Sequence, residues 1–268
     1  MTASDPAAAA AVTGALAGRT ALVTGAGNGL GRAITVALAE AGARVILTGR
    51  TEATLRATAN LLPDQALALV APCDVADPGA VDGLRDSLAD EEIAILVNNA
   101  GIGGPVKALV DIGPAEWDEV FGANVRSVYL MCRAFLPAMY RRGSGDVINI
   151  ASVTGKRPLT RRTPYAASKM AVLGLTRTLA FEAGPLGVSV NSLSPGPCQG
   201  ERMRRNFTAE ATATGISYAQ AQETFVSRAA LRRLVEEDEV AAAVLAMLRM
   251  PGLCGADIDL SAGMIAPA

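Results

Sequence analysis

Residues 20–31 read TALVTGAGNGLG, and this short stretch determines how the chain can fold. Its first five residues are an apolar run typical of a buried strand, and helical periodicity begins at Leu30, directly after the glycines. Such a strand–turn–helix predicts a βα unit. Gly25 permits the tight turn, Gly29 lets the backbone approach a phosphate, and Gly31 lets the helix pack on the strand.

The same turn predicts a ligand as well as a shape. The first turn of a helix carries free N–H groups and the positive end of the helix dipole, and both favour a bound phosphate. We therefore expect Gly25, Asn28, Gly29, Leu30 and Gly31 to bind the phosphates of a nucleotide. An ordinary glycine-rich turn without a ligand is the alternative.

Apolar runs alternate with helical stretches along the rest of the chain. The predicted strands are residues 20–24, 44–48, 67–71, 93–98, 146–150, 188–193 and 257–260. The predicted helices are residues 30–41, 51–62, 78–90, 117–142, 165–184 and 236–250. This alternation predicts an α/β fold of the Rossmann type, a doubly wound, seven-stranded parallel sheet with helices on both faces.

The length of 268 residues suits one domain of this kind. Residues 1–17 are predicted to form a flexible N-terminal tail, because the Ala-rich start lacks the basic residues of a signal peptide. Residues 18–268 are predicted to form a single nucleotide-binding domain. The polar stretch at about 200–233 is predicted to be a helical excursion within it.

The composition excludes several classes of protein. Half of the residues are hydrophobic and the formal net charge is only −2, which argues against disorder and against a nucleic-acid partner. No apolar run is long enough to span a bilayer. The four cysteines are widely separated, so we expect reduced thiols, no metal site and a cytoplasmic protein.

The chain contains no histidine. Ser-His-Asp triads, Cys-His pairs and His-ligated zinc are therefore excluded. Proton transfer near neutral pH must then use Tyr, Lys, Asp, Glu or Cys, with a pKa shifted by the surroundings.

Polar residues follow the ends of three further predicted strands, where ligands of parallel sheets bind. Asp74 and Val75 follow the third strand, and the Asn-Asn-Ala-Gly run 98–101 ends the fourth. The second strand ends in Gly-Arg, so an Arg50 guanidinium stands where an NAD site would have a carboxylate. This favours NADP(H) as the cofactor, with NAD(H) as the alternative and a solvated surface arginine as the simpler explanation.

A second group of residues points to proton chemistry. Tyr165 and Lys169 are four residues apart on a predicted helix, so both lie on one face, and Ser152 ends the fifth strand. Tyrosine ordinarily titrates at about pH 10, but a nearby lysine cation and an oxidised nicotinamide would lower its pKa. Lys169 is one of three lysines in the chain. A half-buried tyrosine above an ordinary surface lysine is the alternative.

Taken together, these motifs resemble the short-chain dehydrogenase/reductase family over about residues 18–264. The match is to its compact single-domain branch, similar to 3-oxoacyl-(acyl-carrier-protein) reductase-like ketoreductases. The motifs occur in the family's order, and they are TGxxxGxG at 24–31, NNAG at 98–101, Asn124, Ser152, YxxxK at 165–169 and PG at 195–196.

The resemblance implies a role for each catalytic candidate. Tyr165 would exchange a proton with the substrate oxygen while hydride passes to or from the nicotinamide. Ser152 would hydrogen-bond the substrate oxygen, and Lys169 would bind the nicotinamide ribose and lower the Tyr165 pKa. Asn124 would hold a water that links Lys169 to solvent.

The resemblance also assigns cofactor contacts. Asp74 and Val75 would border the adenine, and the region 200–233 would be a substrate lid. The ribose and nicotinamide would lie along two groups of residues, which are Asn98, Ala100 and Gly101, then Pro195, Gly196 and Cys198. The family commonly has a threonine at the position of Gly200, where it contacts the carboxamide; backbone N–H groups near Cys198 are one replacement.

These observations predict an NADP(H)-dependent oxidoreductase that interconverts a ketone and a secondary alcohol. Basic residues gather near the predicted pocket, and one interpretation is that they bind an acidic or carrier-linked substrate. The alternative is that they are solvated surface side chains. They are Lys156, Arg157, Arg161 and Arg162, with others in the lid such as Arg202, Arg204 and Arg205. Alternatives are an NAD-dependent dehydrogenase of a sugar, polyol or steroid alcohol, and a non-catalytic dinucleotide-sensing scaffold. Small residues on the helices predicted at 117–142 and 165–184 permit close helix packing. Such helices form the subunit interface in the resembling family, so the resemblance implies a homotetramer, with a dimer as the alternative.

Overall fold

The computed structural model describes residues 14–63 and 66–265, and these contain seven strands. The strands are β1 Thr20–Thr24, β2 Arg44–Gly49, β3 Leu67–Pro72, β4 Ile93–Asn98, β5 Gly145–Ile150, β6 Val188–Pro195 and β7 Asp257–Leu260. They form one sheet in the order β3-β2-β1-β4-β5-β6-β7, and every neighbouring pair is parallel. The predicted Rossmann-type fold is confirmed.

The helices lie between the strands as the alternation predicts. They are α1 Gly29–Glu40, α2 Glu52–Ala59, α3 Pro78–Ser87, α4 Pro114–Phe121, α5 Ser127–Arg142, α6 Thr163–Ala183, α7 Glu201–Thr214, α8 Tyr218–Val226 and α9 Glu237–Leu248. Short 3₁₀ turns occur at Leu109–Asp111, Val153–Gly155 and Gly184–Leu186. Within the two described ranges, no helix combines the length and apolarity needed to cross a bilayer.

Two apolar layers hold the helices on the sheet. On one face, Leu22 of β1 belongs to the core under α3, α5 and α6. On the other face, Ala21 and Val23 belong to the core under α1, α2 and α9. Because side chains alternate along a strand, a strand buried on both faces must be apolar throughout, which explains the continuous apolar run that marks β1 in the sequence.

The ends of most predicted strands and helices differ from the observed ones by one to three residues, and three segments differ in more than their ends. The stretch 117–142 is not one regular helix, because a π-helical turn at Gly122–Arg126 separates α4 from α5. The excursion 200–233 is two helices, α7 and α8, whose apolar sides pack together around Phe207. Of the predicted tail, residues 1–13 lie outside the described residues, whereas Leu16 is buried and its N–H donates to the carbonyl of Ala41 at 2.9 Å.

A chain of buried polar groups joins the central strands to α6. The side-chain amide of Asn98 donates to Oδ1 of Asn149 at 2.8 Å, and Nδ2 of Asn149 donates to Oγ1 of Thr176 at 2.9 Å. Asn149 is fully buried. In this dry setting each group depends on its partner, so the network fixes the position of α6 on the sheet.

We expect Asn149→Ala to lower the free energy of unfolding by about 2–4 kcal/mol, because it leaves the buried Asn98 amide only its weaker hydrogen bond to Sγ of Cys132 and opens a cavity. Urea unfolding followed by circular dichroism measures the change. The control is Asn60→Ala at the exposed end of α2, which should change stability by less than about 0.5 kcal/mol. Equal effects of the two substitutions would contradict a stabilising role for the network.

Candidate active site

The predicted site residues gather at the edge of the sheet where the parallel strands have their carboxyl ends. The glycine turn follows β1, Arg50 follows β2, and Ser152 follows β5. The order of the strands reverses between β1 and β4, which is where a crevice opens in folds of this type.

A hydroxyl group ties the two strands on either side of this crevice. Oγ1 of Thr24 accepts the backbone N–H groups of Asn99 and Ala100, both at 2.9 Å. The Asn99 side-chain amide donates back to the carbonyl of Thr24 at 2.9 Å. Asn99 is therefore a structural residue of the site that sequence reasoning did not single out, although its place in the run 98–101 was the available signal.

The glycine turn is built so closely that side chains would break it. Gly25 has a φ of +66°, which favours glycine. A Cβ placed on Gly31 would lie 2.1 Å from the carbonyl oxygen of Gly25, so α1 can approach β1 only without a side chain there. The turn leaves the first N–H groups of α1 facing the crevice edge.

The start of α1 suits an anion. Asn28 precedes the helix in extended conformation, and its side chain makes no capping hydrogen bond to any residue that the structure describes. The first turn of α1 holds no acidic residue. The side chain of Leu30 packs towards the apolar core, so only its backbone is available to a ligand. The phosphates of a dinucleotide fit this cradle, because they would accept from the uncapped N–H groups.

Four further residues predicted to bind the cofactor differ in their exposure and in the direction of their side chains. Arg50 is exposed and directly follows Gly49, where an added Cβ would lie 3.7 Å from the Cα of Gly25. Val75 is buried, and Asp74 uses Oδ1 to accept the N–H of Ala76 at 3.0 Å. The side chain of Asn98 points away from the crevice into the buried network already described, so only its backbone can serve a ligand there.

The predicted reacting residues come together at the ends of β5 and α6. Tyr165, Lys169 and Ser152 are all buried. Nζ of Lys169 lies 5.9 Å from the centre of the Tyr165 ring and donates to the carbonyl of Ile150 at 2.8 Å. Oγ of Ser152 accepts the N–H of Thr154 at 3.1 Å, which leaves its own hydrogen to donate elsewhere.

Asn124 connects these residues to the loop after β4. Its Oδ1 accepts the N–H of Ile102 at 2.7 Å, and its Nδ2 donates to the carbonyl of Ile102 and to Oγ of Ser168, each at 3.0 Å. A Cβ added to Gly101 would lie 2.8 Å from Oδ1 of Asn124 and 3.7 Å from Nζ of Lys169. Asn124 lies in the π-helical turn, a geometry that often occurs at functional sites.

Three of the four basic residues predicted near the pocket are bonded to other parts of the protein. Nζ of Lys156 pairs with the carboxylates of Asp257, at 2.6 Å, and Asp259. Burial alone would lower the pKa of Lys156. The hydrogen bonds that Lys156 donates to these two carboxylates have the larger effect, so its pKa is raised. Arg157 donates to the carbonyl of Met264 and Arg161 to that of Val106.

Arg162 is the most deeply buried of these four basic residues. It is 8% exposed, and its guanidinium carbon lies 5.7 Å from the centre of the Tyr165 ring. A Cβ added to Gly103 would lie 3.1 Å from its Nη2. A buried cation therefore stands between the reacting tyrosine and the loop after β4.

The segment that follows β6 is held by backbone pairing. The N–H of Gly196 donates to the carbonyl of Leu260 at 2.8 Å. The carbonyl of Pro197 accepts the N–H of Val235, and the N–H of Gln199 donates to the carbonyl of Val235. Because successive groups on an extended chain point in opposite directions, the backbone groups of Cys198 face away from Val235. Gly200, with a φ of +152°, ends this segment at α7.

Comparison with known proteins identifies relatives of the chain. A family model described as short chain dehydrogenase matches residues 19–212. The 3-oxoacyl-(acyl-carrier-protein) reductase FabG of Vibrio cholerae serotype O1 is 31% identical over 253 residues, which cover 93% of this chain and 98% of the relative.

Two solved structures share the architecture over nearly their whole length. An actinorhodin polyketide ketoreductase with NADPH has a TM-score of 0.87 and 29% identity, covering 92% of this chain and 97% of that one. An NAD⁺-bound xylitol dehydrogenase has a TM-score of 0.86 and 26% identity, covering 92% of this chain and 99% of that one.

Proposed function

Since the chain belongs to the short-chain dehydrogenase family and is an oxidoreductase acting on CH–OH or keto groups, we propose that it is an NADP(H)-dependent enzyme in which Tyr165 is the acid/base. It would interconvert a ketone and a secondary alcohol. The observation that carries this proposal is the buried group of Tyr165, Lys169 and Ser152 at the crevice edge, beside a turn shaped for phosphates.

Each residue has a task in the reducing direction. The Tyr165 hydroxyl donates its proton to the carbonyl oxygen of the substrate, and the Lys169 cation stabilises the phenolate that is left. The Ser152 hydroxyl donates a hydrogen bond to the same oxygen and orients it. The bound nicotinamide cofactor supplies the hydride. Asn124 holds the loop after β4 against α6, and it would hold the water that links Lys169 to solvent.

We expect Tyr165→Phe to lower kcat by about 10²–10⁴-fold, because the ring remains while the proton donor is lost. NADPH affinity, measured by fluorescence titration, should stay within about twofold of the unmodified enzyme. The control is Tyr129→Phe, which removes a hydroxyl from the exposed side of α5. A Tyr165→Phe enzyme that kept most of its turnover would contradict the assigned role.

An unmodified protein that bound cofactor but turned over no carbonyl would instead support a dinucleotide-sensing scaffold.

The cofactor proposal depends on Arg50. Its guanidinium, at the end of β2, can pair with a 2′-phosphate, and the solved relatives described above include one with NADPH and one with NAD⁺. We therefore propose NADP(H), with NAD(H) as the alternative cofactor of a sugar, polyol or steroid alcohol dehydrogenase.

We expect Arg50→Asp to lower the ratio of kcat/KM for NADPH to that for NADH by about tenfold or more, because a carboxylate repels the 2′-phosphate. The control is Arg56→Asp on α2, where the arginine is paired with Glu52. An unmodified enzyme that uses NADH better than NADPH would overturn the cofactor assignment.

For the substrate, we propose a ketone that carries an acidic or carrier-linked group. Arg162 supports this choice, because it places a guanidinium, a group that pairs with carboxylates, close to the Tyr165 ring. The named reductase relative acts on carrier-linked 3-oxoacyl groups, which is the related chemistry.

We expect Arg162→Gln to raise KM for a keto acid about tenfold and to leave KM for a neutral cyclic ketone nearly unchanged. Steady-state assays with both substrates measure this difference. Arg161→Gln, at the neighbouring exposed arginine, is the matched control. Equal losses with both substrates would show that Arg162 supports Tyr165 rather than recognising the substrate.

The assembly and the lid complete the proposal. We propose a homotetramer, with a dimer as the alternative, in which α5 and α6 pack against other copies. Support comes from apolar side chains that these helices expose, namely Tyr129, Met170 and Phe181, of which Phe181 is 85% exposed. Exposed apolar side chains on neighbouring helices are typical of a surface that another chain covers. The helices α7 and α8 are proposed as the substrate lid.

A further inference from the structure

An acidic side chain lies against the phosphate-binding turn. Glu237 is the first residue of α9 and is half-buried. Its Oε1 lies 2.7 Å from the place that a Cβ on Gly200 would occupy and 3.6 Å from the corresponding place on Gly29. Gly29 begins α1, where the phosphates are expected. The carboxylate therefore stands within a few ångströms of any anion bound at that helix start.

Gly200 makes room for this carboxylate. Its φ of +152° and the 2.7 Å distance to Glu237 both disfavour any other residue at this position. The resembling family commonly has threonine there. A threonine side chain would occupy the space that the Glu237 carboxylate takes, so the glycine and the acid form a matched pair in this chain.

The charges around Glu237 come from three helices. Burial raises its pKa, and Asp238 and Glu236 on its own helix raise it further, while Arg32 of α1 and Arg204 of α7 act in the opposite direction. Arg32 is already engaged, because its Nη2 donates to the carbonyl of Gly27 at 2.7 Å. The net direction is upward, so the surroundings disfavour the ionised form of Glu237.

We propose that Glu237 sets the affinity for the dinucleotide by opposing its pyrophosphate at the glycine turn. This inference rests on the proposed function, since it requires a dinucleotide in the crevice. The start of α1 and Arg32 attract the pyrophosphate, and the Glu237 carboxylate subtracts from that attraction. Such an acid weakens binding of both cofactors equally, because they share the pyrophosphate, and so promotes release of the spent one.

The sign of the pH dependence follows from the same charges. As the pH falls through the raised pKa of Glu237, the carboxyl takes up a proton and its repulsion disappears, so cofactor affinity rises. NADH is the better probe for this effect, because the 2′-phosphate of NADPH titrates with an ordinary pKa of about 6, by analogy with other phosphate monoesters.

The test is calorimetric titration of the full-length protein with NADH and with NADPH. We expect Glu237→Gln to lower Kd for both cofactors by about threefold to tenfold at pH 7.5, and to weaken the rise in NADH affinity as the pH falls. The control is Glu40→Gln, which makes the same charge change at the exposed far end of α1. This end lies roughly 16 Å along the helix from Gly29, where the phosphates are expected.

The outcomes separate this inference from the proposed function. An unmodified protein that binds neither cofactor overturns both. If it binds cofactor and Glu237→Gln leaves Kd unchanged, the inference alone is overturned. Weaker binding by Glu237→Gln also overturns it, since Glu237 would then be a cofactor ligand. A tightening that Glu40→Gln reproduces would trace the effect to net charge and overturn the inference too.

Discussion

The hydroxyl of Thr24 is the contact on which the site depends. It accepts two backbone N–H groups from the loop after β4, and so joins the strands between which the sheet reverses its order. The glycine turn lies on one side of this joint, and the loop that carries Gly101 and contacts Asn124 lies on the other. The Thr24 hydroxyl, together with the Asn99 amide that donates back to the Thr24 carbonyl, therefore helps to hold the phosphate end and the reacting end of the crevice in one fixed relation.

The fold was predictable because each of its signals is local. The apolar run of β1, the glycines after it and the alternation of strands with helices are enough to predict a parallel sheet covered on both faces. The spacing of Tyr165 and Lys169 likewise places both on one helical face. The π-helical turn at Gly122–Arg126 was not predictable, because its residues have no unusual local preference and the turn is fixed by contacts of Asn124 with Ile102 and Ser168.

The misjudged side chains are those whose partners lie far away in sequence. Asn98 belongs to a site motif but faces Asn149, and Lys156 follows Ser152 but pairs with carboxylates about a hundred residues later. Glu237 is one of several acidic residues at a helix start, which by itself is ordinary capping chemistry. Its position against Gly29 and Gly200 appears only when α9 is packed beside α1.

The pairing of Lys156 with β7 has a consequence for how the enzyme matures. The loop that carries Ser152 is anchored by Asp257 and Asp259, which follow Lys156 by about a hundred residues in the chain. A nascent chain that has not yet emerged this far can already close the glycine turn, but it has no carboxylates to hold Lys156. The glycine turn can thus form early in translation, whereas the loop of the reacting half acquires its anchor only after β7 has been synthesised.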